Sequence, residues 1–212
     1  MATLLIPLCG PLQSWGVDSR FGERQTLREP SKSGVLGLVC AALGRDRGEA
    51  IDDLVALRFG IRIDRGGTLL RDYHTALDVI AAGNDRTDTV LSNRWYLADA
   101  AFVAGLEGEE TLLRTIHAAL ADPVWPVFLG RKACLPSCAL APEWGLSGAI
   151  LRTALVKAPA LKGAETNIPF RLVMEDPQGE QSRPDQPAGP FAQRRFVMRR
   201  VTTEVVAWNS QG

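Results

Sequence analysis

The spacing of apolar residues along the chain predicts an alternating series of strands and helices. Short apolar or alternating runs predict strands at residues 3–8, 59–64, 68–73, 95–103 and 124–129. Apolar residues that recur at helical spacing predict helices at residues 31–43, 49–58 and 109–121. Gly66 and Gly67 predict a hairpin turn between two of the strands. Residues 76–92 are polar and contain glycine, which favours a projecting hairpin or loop.

The order of these elements predicts a fold class. Strand, helix, strand, strand, helix and strand follow one another over residues 1–130, which is the split β-α-β plan of ferredoxin-like domains. RNA-recognition domains share this plan. Because the plan hosts many functions, it identifies none by itself. We therefore predict an α+β chain whose first domain is ferredoxin-like.

The amino-acid composition changes after residue 130. Glycine, proline and cysteine become frequent, and residues 176–192 are rich in proline, glutamine, glycine and charge, which predicts a mobile segment. Residues 194–208 combine basic flanks with an apolar run and predict a strand. We expect residues 131–212 to form a loop-rich, β-containing C-terminal region that begins with a glycine-rich loop.

Composition narrows the class of protein. The 212 residues suit one large or two small domains. No apolar stretch has the length of a membrane span, and the N-terminus lacks the basic region of a signal peptide, so we expect a cytoplasmic protein with no membrane partner. Four cysteines and two histidines show no metal-site or disulfide spacing, which predicts buried reduced thiols and neither a metal nor a cofactor.

Charge is balanced overall but unevenly distributed. Lys and Arg total 24, as do Asp and Glu, so net charge alone does not indicate a nucleic-acid-binding protein. The basic residues cluster at Arg20, Arg24, Arg28 and Lys32, at Arg131 and Lys132, and at Arg194, Arg195, Arg199 and Arg200. Such clusters permit a local basic groove on a neutral protein, and solvated surfaces are the alternative.

The predicted helix at residues 31–43 starts with a polar, cationic turn. Ser31 or Ser33 can cap this turn, whose free N–H groups favour a phosphate, and Lys32 adds a mobile positive charge. Gly34 and Gly37 lower helix propensity, which predicts a close approach of the backbone to a strand or a ligand. The spacing excludes both a P-loop and a dinucleotide fingerprint. An ordinary capped core helix explains the same residues equally well.

Further residues are candidates for phosphate binding, acid–base catalysis or base stacking. Gly130 follows a predicted strand and precedes Arg131 and Lys132, an arrangement that brings backbone N–H groups and two cations to a phosphate. Tyr73 and His74 form the pair that most resembles a general acid and base. Aromatic rings that can either stack on bases or fill the core are those of Trp15, Tyr73, Trp95 and Tyr96.

Four motifs together resemble a known family. Residues 10–16, 30–44, 71–75 and 128–134 read GPLQSWG, PSKSGVLGLVCAALG, RDYHT and FLGRKAC. Their order and context resemble the CRISPR-associated protein 5 (CasD) family of type I-E systems. The resemblance is specific over about the first two thirds of the chain and looser in the C-terminal third.

This resemblance implies a function. It implies a subunit of the Cascade surveillance complex, with a fold of the repeat-associated mysterious protein (RAMP) superfamily and a thumb hairpin at about residues 75–100. Such a subunit holds the 5′ handle of the crRNA, contacts the backbone and large subunits, and meets target DNA through the assembled complex. The predicted RNA-binding residues are Gln13, Ser14, Trp15, Arg24, Ser31, Lys32, Ser33, His74, Arg131 and Lys132.

The resemblance also bears on catalysis. Related subunits of type I-C systems cleave repeat RNA with a tyrosine, a lysine and a histidine, whereas type I-E members look non-catalytic. Here no lysine stands beside Tyr73 and His74, so we expect no catalytic residues. The alternatives are a metal-independent endoribonuclease that uses His74 with Tyr73 or Lys132, and a protein-interaction module whose arginines pair between subunits.

Overall fold

We describe the protein from a computed structural model, in which residues 1–16, 19–20, 22–80 and 87–208 are described. The strands are β1 (Ala2–Cys9), β2 (Leu12–Gln13), β3 (Ser19–Arg20), β4 (Glu23–Arg24), β5 (Arg58–Arg65), β6 (Thr68–Ile80), β7 (Thr87–Ala98), β8 (Ala101–Gly108), β9 (Leu146–Ser147), β10 (Phe170–Glu175), β11 (Gln181–Pro187) and β12 (Phe196–Val206). The α-helices are α1 (Lys32–Leu43), α2 (Asp52–Val55), α3 (Glu110–Ala121) and α4 (Leu151–Lys157).

The main sheet has seven strands in the order β11-β12-β10-β5-β8-β1-β9. Every neighbouring pair in it is antiparallel. Because β10, β11 and β12 continue the sheet beyond β5, the C-terminal region and the N-terminal region share this sheet. The chain is thus an α+β protein with a mostly antiparallel sheet, as the sequence predicts.

Helices cover both faces of this sheet. Alternate residues of β1 point to opposite sides, so Leu4 packs with α1 and α3 while Leu5 packs with α4. Glycine lets α4 lie close to the sheet, since a Cβ on Gly105 would stand 2.6 Å from a methyl carbon of Leu151. Both predicted core helices are present, and Ser31 and Gly44 cap α1 at its two ends as expected.

A long antiparallel hairpin of β6 and β7 belongs to a second sheet, in which β7 also pairs with β2 and β4. The predicted strand at residues 68–73 therefore continues to Ile80, and the predicted run at residues 95–103 is divided between β7 and β8. Asp99 lies between these two strands with a φ of 57°. The predicted projecting hairpin is confirmed in its described part, and residues 81–86 at its end lie outside the described residues.

Two sequence predictions in the second half are wrong. Residues 124–129 are not a strand, because Val124 N and Trp125 N donate to Ala42 O and Ala41 O at the end of α1 instead of to a neighbouring strand. The strand that pairs with the free edge of β1 is β9. Residues 176–192, predicted to be mobile, contain strand β11, and Asp185 within it is buried.

The helix predicted at residues 49–58 is limited to α2. Ile51 and Leu54 fix this short helix in the core, and Phe59 already belongs to β5. Within the described residues, no helix has the length and apolarity that crossing a membrane requires.

Candidate nucleic-acid interface

The first turn of α1 is closed by charges from the C-terminal strands. Asp185 Oδ2 accepts a hydrogen bond from Lys32 N at 2.7 Å, and both carboxylate oxygens of Asp185 bind Arg199. Lys32 Nζ lies 2.9 Å from Glu175 Oε2 and 3.0 Å from Val55 O. The Lys32 side chain is 1% exposed, and its burial lowers its pKa. The expectation of a mobile cation and a free phosphate site at this helix start is therefore corrected.

The predicted base-reading residues after β1 hold the loop together. Gln13 Nε2 donates to Leu8 O and Ala100 O, and Gln13 Oε1 accepts from Trp15 Nε1 at 3.0 Å. Trp15 is 1% exposed. Its indole lies beneath Gly34, where a Cβ would approach the ring to 2.9 Å. Since Gln13 and Trp15 are buried, neither offers its polar or aromatic surface to a base.

The glycine-rich loop is clamped onto neighbouring segments by Arg131. Its guanidinium donates to the backbone oxygens of Trp95, Arg24 and Gln25, and it lies 4.8 Å from the centre of the Tyr96 ring. These contacts consume most of its donors, so Arg131 positions the loop more than it extends into solvent. Lys132 and the side chain of Arg24 are exposed.

At Gly130, where the sequence predicts backbone N–H groups close to a phosphate, the backbone lies close to Ser14 of the same chain. Gly130 has a φ of 95°, and a Cβ there would lie 1.7 Å from Ser14 O. No other residue fits this position without moving the backbone. Ser14 N donates to Leu129 O at 3.0 Å, which fastens the same two segments together.

Tyr73 and His74 lie side by side on β6. Adjacent strand residues point to opposite faces, so the phenol and the imidazole do not converge. Tyr73 is 61% exposed, and His74 Nδ1 stands 3.5 Å from Asp72 Oδ2 on its own face. Within the described part of the chain, no group of three or more His, Cys, Asp or Glu residues is arranged to hold a metal ion.

An open groove runs along the outer face of α1, and we call it the α1 groove. Its volume is about 540 Å³. The residues lining it are Ser14, Trp15, Gly16, Ser31, Ser33, Gly34, Gly37, Leu38, Cys40, Ala41, Arg45, Asp46, Arg47, Trp125, Pro126, Phe128, Gly130, Arg131, Phe191 and Phe196. Small residues of α1 thus form its floor, and aromatic residues from two other segments form its walls.

Gly37 differs from Gly34, the other glycine of α1. A Cβ on Gly37 would meet only one atom, Phe191 Cζ at 4.0 Å, whereas Gly34 is needed by the Trp15 ring. A glycine inside a helix costs about 0.5–1 kcal/mol relative to alanine. Because no packing within the described structure requires Gly37, its effect is to keep the α1 groove open.

The edge of the α1 groove carries exposed cations. Arg47 is exposed, and its backbone oxygen accepts from Ala192 N at 2.8 Å. Arg194 and Arg195 are exposed in the segment between the two wall residues Phe191 and Phe196. Arg45, in contrast, is held in a two-point ion pair with Asp53.

The structure brings together part of the predicted site. Five predicted residues line the α1 groove: Ser14, Trp15, Ser31, Ser33 and Arg131. Five lie elsewhere: Gln13, Arg24, Lys32, His74 and Lys132. Sequence reasoning missed the aromatic walls, because they combine two segments that are far apart in the sequence. Trp125 and Phe128 form one wall and Phe191 and Phe196 the other, and only Phe128 belongs to a motif.

Comparisons with known proteins agree with this architecture. A sequence model of the family described as CRISPR-associated protein (Cas_Cas5) matches residues 3–202. The CRISPR system Cascade subunit CasD of Escherichia coli (strain K12) is 33% identical over an alignment of 147 residues. The match covers 62% of this chain and 66% of that relative, just under two thirds of its length.

Two solved structures resemble nearly the whole chain. A Cas protein has 45% identity and a TM-score of 0.82, and the match covers 97% of this chain and 95% of that one. A chain of a CRISPR RNA-guided surveillance complex has 34% identity and a TM-score of 0.83, with 96% and 90% covered. The chain therefore belongs to the CRISPR-associated Cas5 family.

Proposed function

We propose that this chain is a non-catalytic, cytoplasmic RNA-binding subunit of a Cascade-type surveillance complex and holds the 5′ handle of the crRNA. The relatives support the assembly, since one is a Cascade subunit and another belongs to an RNA-guided complex. The observation that carries the RNA site is the α1 groove, which is open, aromatic and bordered by cations. Unpaired RNA bases bind to aromatic faces, and their phosphates bind to basic side chains.

The topology supports a ferredoxin-like core of the RAMP type. The strands β5, β8, β1 and β9 lie in this order in the sheet, and α1 and α3 connect them in the split β-α-β sequence. The short β9 takes the place of the strand expected at residues 124–129. We further propose that residues 1–130 form the RNA-binding unit and that residues 131–212 complete it with the C-terminal strands.

In this proposal, some of the predicted RNA-binding residues contact RNA directly and others position the groove. Ser33 is half-buried and lines the α1 groove, so it is the serine that we assign to contact a bound nucleotide. Lys132 and Arg24 are exposed and supply phosphate contacts outside the groove. Arg131 and Trp15 act indirectly, by fixing the loop and the floor of the groove.

The hairpin of β6 and β7 serves as the thumb that contacts neighbouring subunits and the guide. Its outer part exposes several apolar side chains: Tyr73, Leu77, Val79, Ile80, Val90 and Leu91. Exposed apolar surface of this extent marks an interaction site rather than a free surface. The backbone and large subunits are the partners, and target DNA is met through the assembled complex. The opposed orientation of Tyr73 and His74 argues against the form of the endoribonuclease alternative that pairs these two residues.

Filling the α1 groove tests the proposal directly. In Gly37→Leu the new side chain occupies the groove without a clash at Cβ. Base stacking on aromatic residues contributes about 1–3 kcal/mol per base, so we expect the crRNA retained by the co-expressed complex to fall about 5- to 150-fold. The measurement is the amount of co-purified crRNA, with nucleotide-by-nucleotide footprinting of the handle.

Gly148→Leu is the matched control. Gly148, like Gly37, has room for an added Cβ, since no atom lies within 4 Å of that position, and it lies outside the α1 groove. This variant should retain crRNA at the level of the unmodified chain. A folded Gly37→Leu chain that protects the 5′ handle as well as the control would contradict the assignment of the groove.

A further inference from the structure

A carboxylate lies among the cations of the α1 groove. Asp46 is the one acidic residue among the described residues that line the groove, and it is exposed. Its neighbour Arg45 is bound at 2.6 and 2.7 Å by Asp53, so this guanidinium is engaged away from Asp46. Among the described residues, none donates a hydrogen bond to the Asp46 carboxylate or forms an ion pair with it. The groove therefore contains a free hydrogen-bond acceptor.

The backbone around Asp46 is fixed by hydrogen bonds. Asp46 N donates to the Glu49 carboxylate, and Glu49 N donates to Asp46 O at 3.1 Å, which closes a turn. The next residue, Arg47, accepts from Ala192 N at 2.8 Å, and this bond ties the turn to the segment that contains the wall residue Phe191. Because the turn is already ordered, little conformational freedom is lost when a ligand binds to Asp46.

A carboxylate in this groove restricts which part of an RNA can lie beside it. An ionised carboxylate accepts hydrogen bonds and donates none, and it repels the anionic phosphates. Phosphates are attracted instead to the exposed cations at the edge of the groove, which are Arg47, Arg194 and Arg195. The part of an RNA that suits Asp46 is therefore the N–H edge of a base.

From this arrangement we infer that Asp46 makes the α1 groove selective for guanine at one position of the bound RNA. The inference rests on the proposed RNA-binding function of the groove. Guanine presents N1–H and its N2 amino group side by side, so it can donate to both carboxylate oxygens, and such charged two-point contacts are strong. Adenine and cytosine place an acceptor nitrogen beside their amino group, and uracil flanks its N–H with two carbonyl oxygens, so each of them repels one oxygen of Asp46.

The other groups of the groove do not discriminate between bases. The aromatic walls bind the face of any base, since every base has a π-face. The hydroxyl of Ser33 both donates and accepts, so it suits any base edge. The donors of Arg131 are directed to backbone oxygens. The walls thus supply affinity, and Asp46 supplies the choice of base.

A complex assembled with guide RNAs whose handle bases are randomised tests this selectivity. Sequencing of the retained RNA should show guanine enriched at one handle position by about 5- to 150-fold, the range that one two-point base contact gives. Asp46→Asn replaces one acceptor oxygen with a donor and should abolish this enrichment. Inosine in place of that guanine lacks the N2 amino group, so it should lower retention by the unmodified chain but not by Asp46→Asn.

Asp122→Asn is the matched control, because Asp122 is also exposed and lies outside the α1 groove. This variant should keep the enrichment, and the inosine measurement on the unmodified chain does not depend on the folding of any variant. RNA that is retained without guanine enrichment, or an enrichment that survives in Asp46→Asn, would overturn the inference and leave the proposed function intact. If Gly37→Leu retains as much crRNA as the unmodified chain, the groove is not the RNA site and both proposals fail.

Discussion

The first turn of α1 and its outer face belong to one helix, yet they differ in what surrounds them. At the first turn, Lys32 and the backbone are bound by Glu175 and Asp185 from the C-terminal strands. On the outer face, Gly37 borders a groove in which no residue of the described structure fills the space beside it. The charged first turn of α1 is therefore enclosed by other parts of the chain, whereas the face of α1 at Gly37 borders unfilled space.

This difference shows which kind of feature indicates a ligand site. A cation and free N–H groups at a helix start are suited to a phosphate, but a carboxylate from the same chain satisfies them equally well. A helical glycine without a packing role has no such internal explanation. Unused space beside α1 is thus better evidence for RNA binding than charge at its start.

The largest expected effect on stability comes from removing the Asp185 carboxylate at the first turn of α1. Asp185→Ala leaves Arg199 and the first turn of α1 without their shared partner, and breaking a buried pair costs about 3–5 kcal/mol. We expect the free energy of unfolding, measured with urea, to fall by about that amount. Asp53→Ala is the matched control, because it removes the two-point partner of the more exposed Arg45 and should cost only about 0.2–1 kcal/mol. Equal losses in both variants would contradict the internal role of Asp185.

Replacing each of the two glycines of α1 with alanine should change the free energy of unfolding by a smaller amount and in opposite directions. Gly34→Ala places a Cβ 2.9 Å from the Trp15 ring and should lower the free energy of unfolding by about 1–3 kcal/mol. Gly37→Ala gains helix propensity without a clash and should raise it by about 0.5–1 kcal/mol. Thermal and urea unfolding of both variants provide the measurement. A loss of stability in Gly37→Ala would show that the interior needs this glycine.

The smallest expected effect concerns RNA binding by the buried lysine. Lys32→Met should lower stability but leave the salt dependence of crRNA binding by the complex unchanged, since Lys32 is not exposed. Lys132→Met should reduce the slope of log affinity against log salt concentration by about 0.7, the value for one phosphate contact to a single strand. If Lys32→Met reduced the slope while Lys132→Met did not, the RNA contact would lie at the first turn of α1.

Local signals were strong enough to predict much of the fold. The helices α1 and α3 have apolar residues at helical spacing together with caps, and β1 and β5 are apolar or alternating runs, so their own sequences specify them. The run at residues 124–129 looks equally like a strand. Its N–H groups bond to α1 carbonyls instead, and a linear pattern does not show which partner a backbone group finds.

The candidate site was less predictable than the fold. The motif residues Gln13, Trp15 and Arg131 lie at or near the α1 groove, but their side chains form hydrogen bonds within the protein. The aromatic walls were missed because Phe128 and Phe191 are far apart in sequence. Burial and hydrogen bonding decide whether a polar or aromatic residue is available, and neither is local.

The α+β class, the main helices, the projecting hairpin and the family could be predicted from local patterns, because periodicity, caps and short motifs are properties of neighbouring residues. Only the packing of distant segments buries Lys32 and leaves the α1 groove open beside Gly37. Each of these facts depends on segments more than a hundred residues apart, or on space that no such segment fills. Their positions follow from how the sheet and helices pack, which no local pattern encodes.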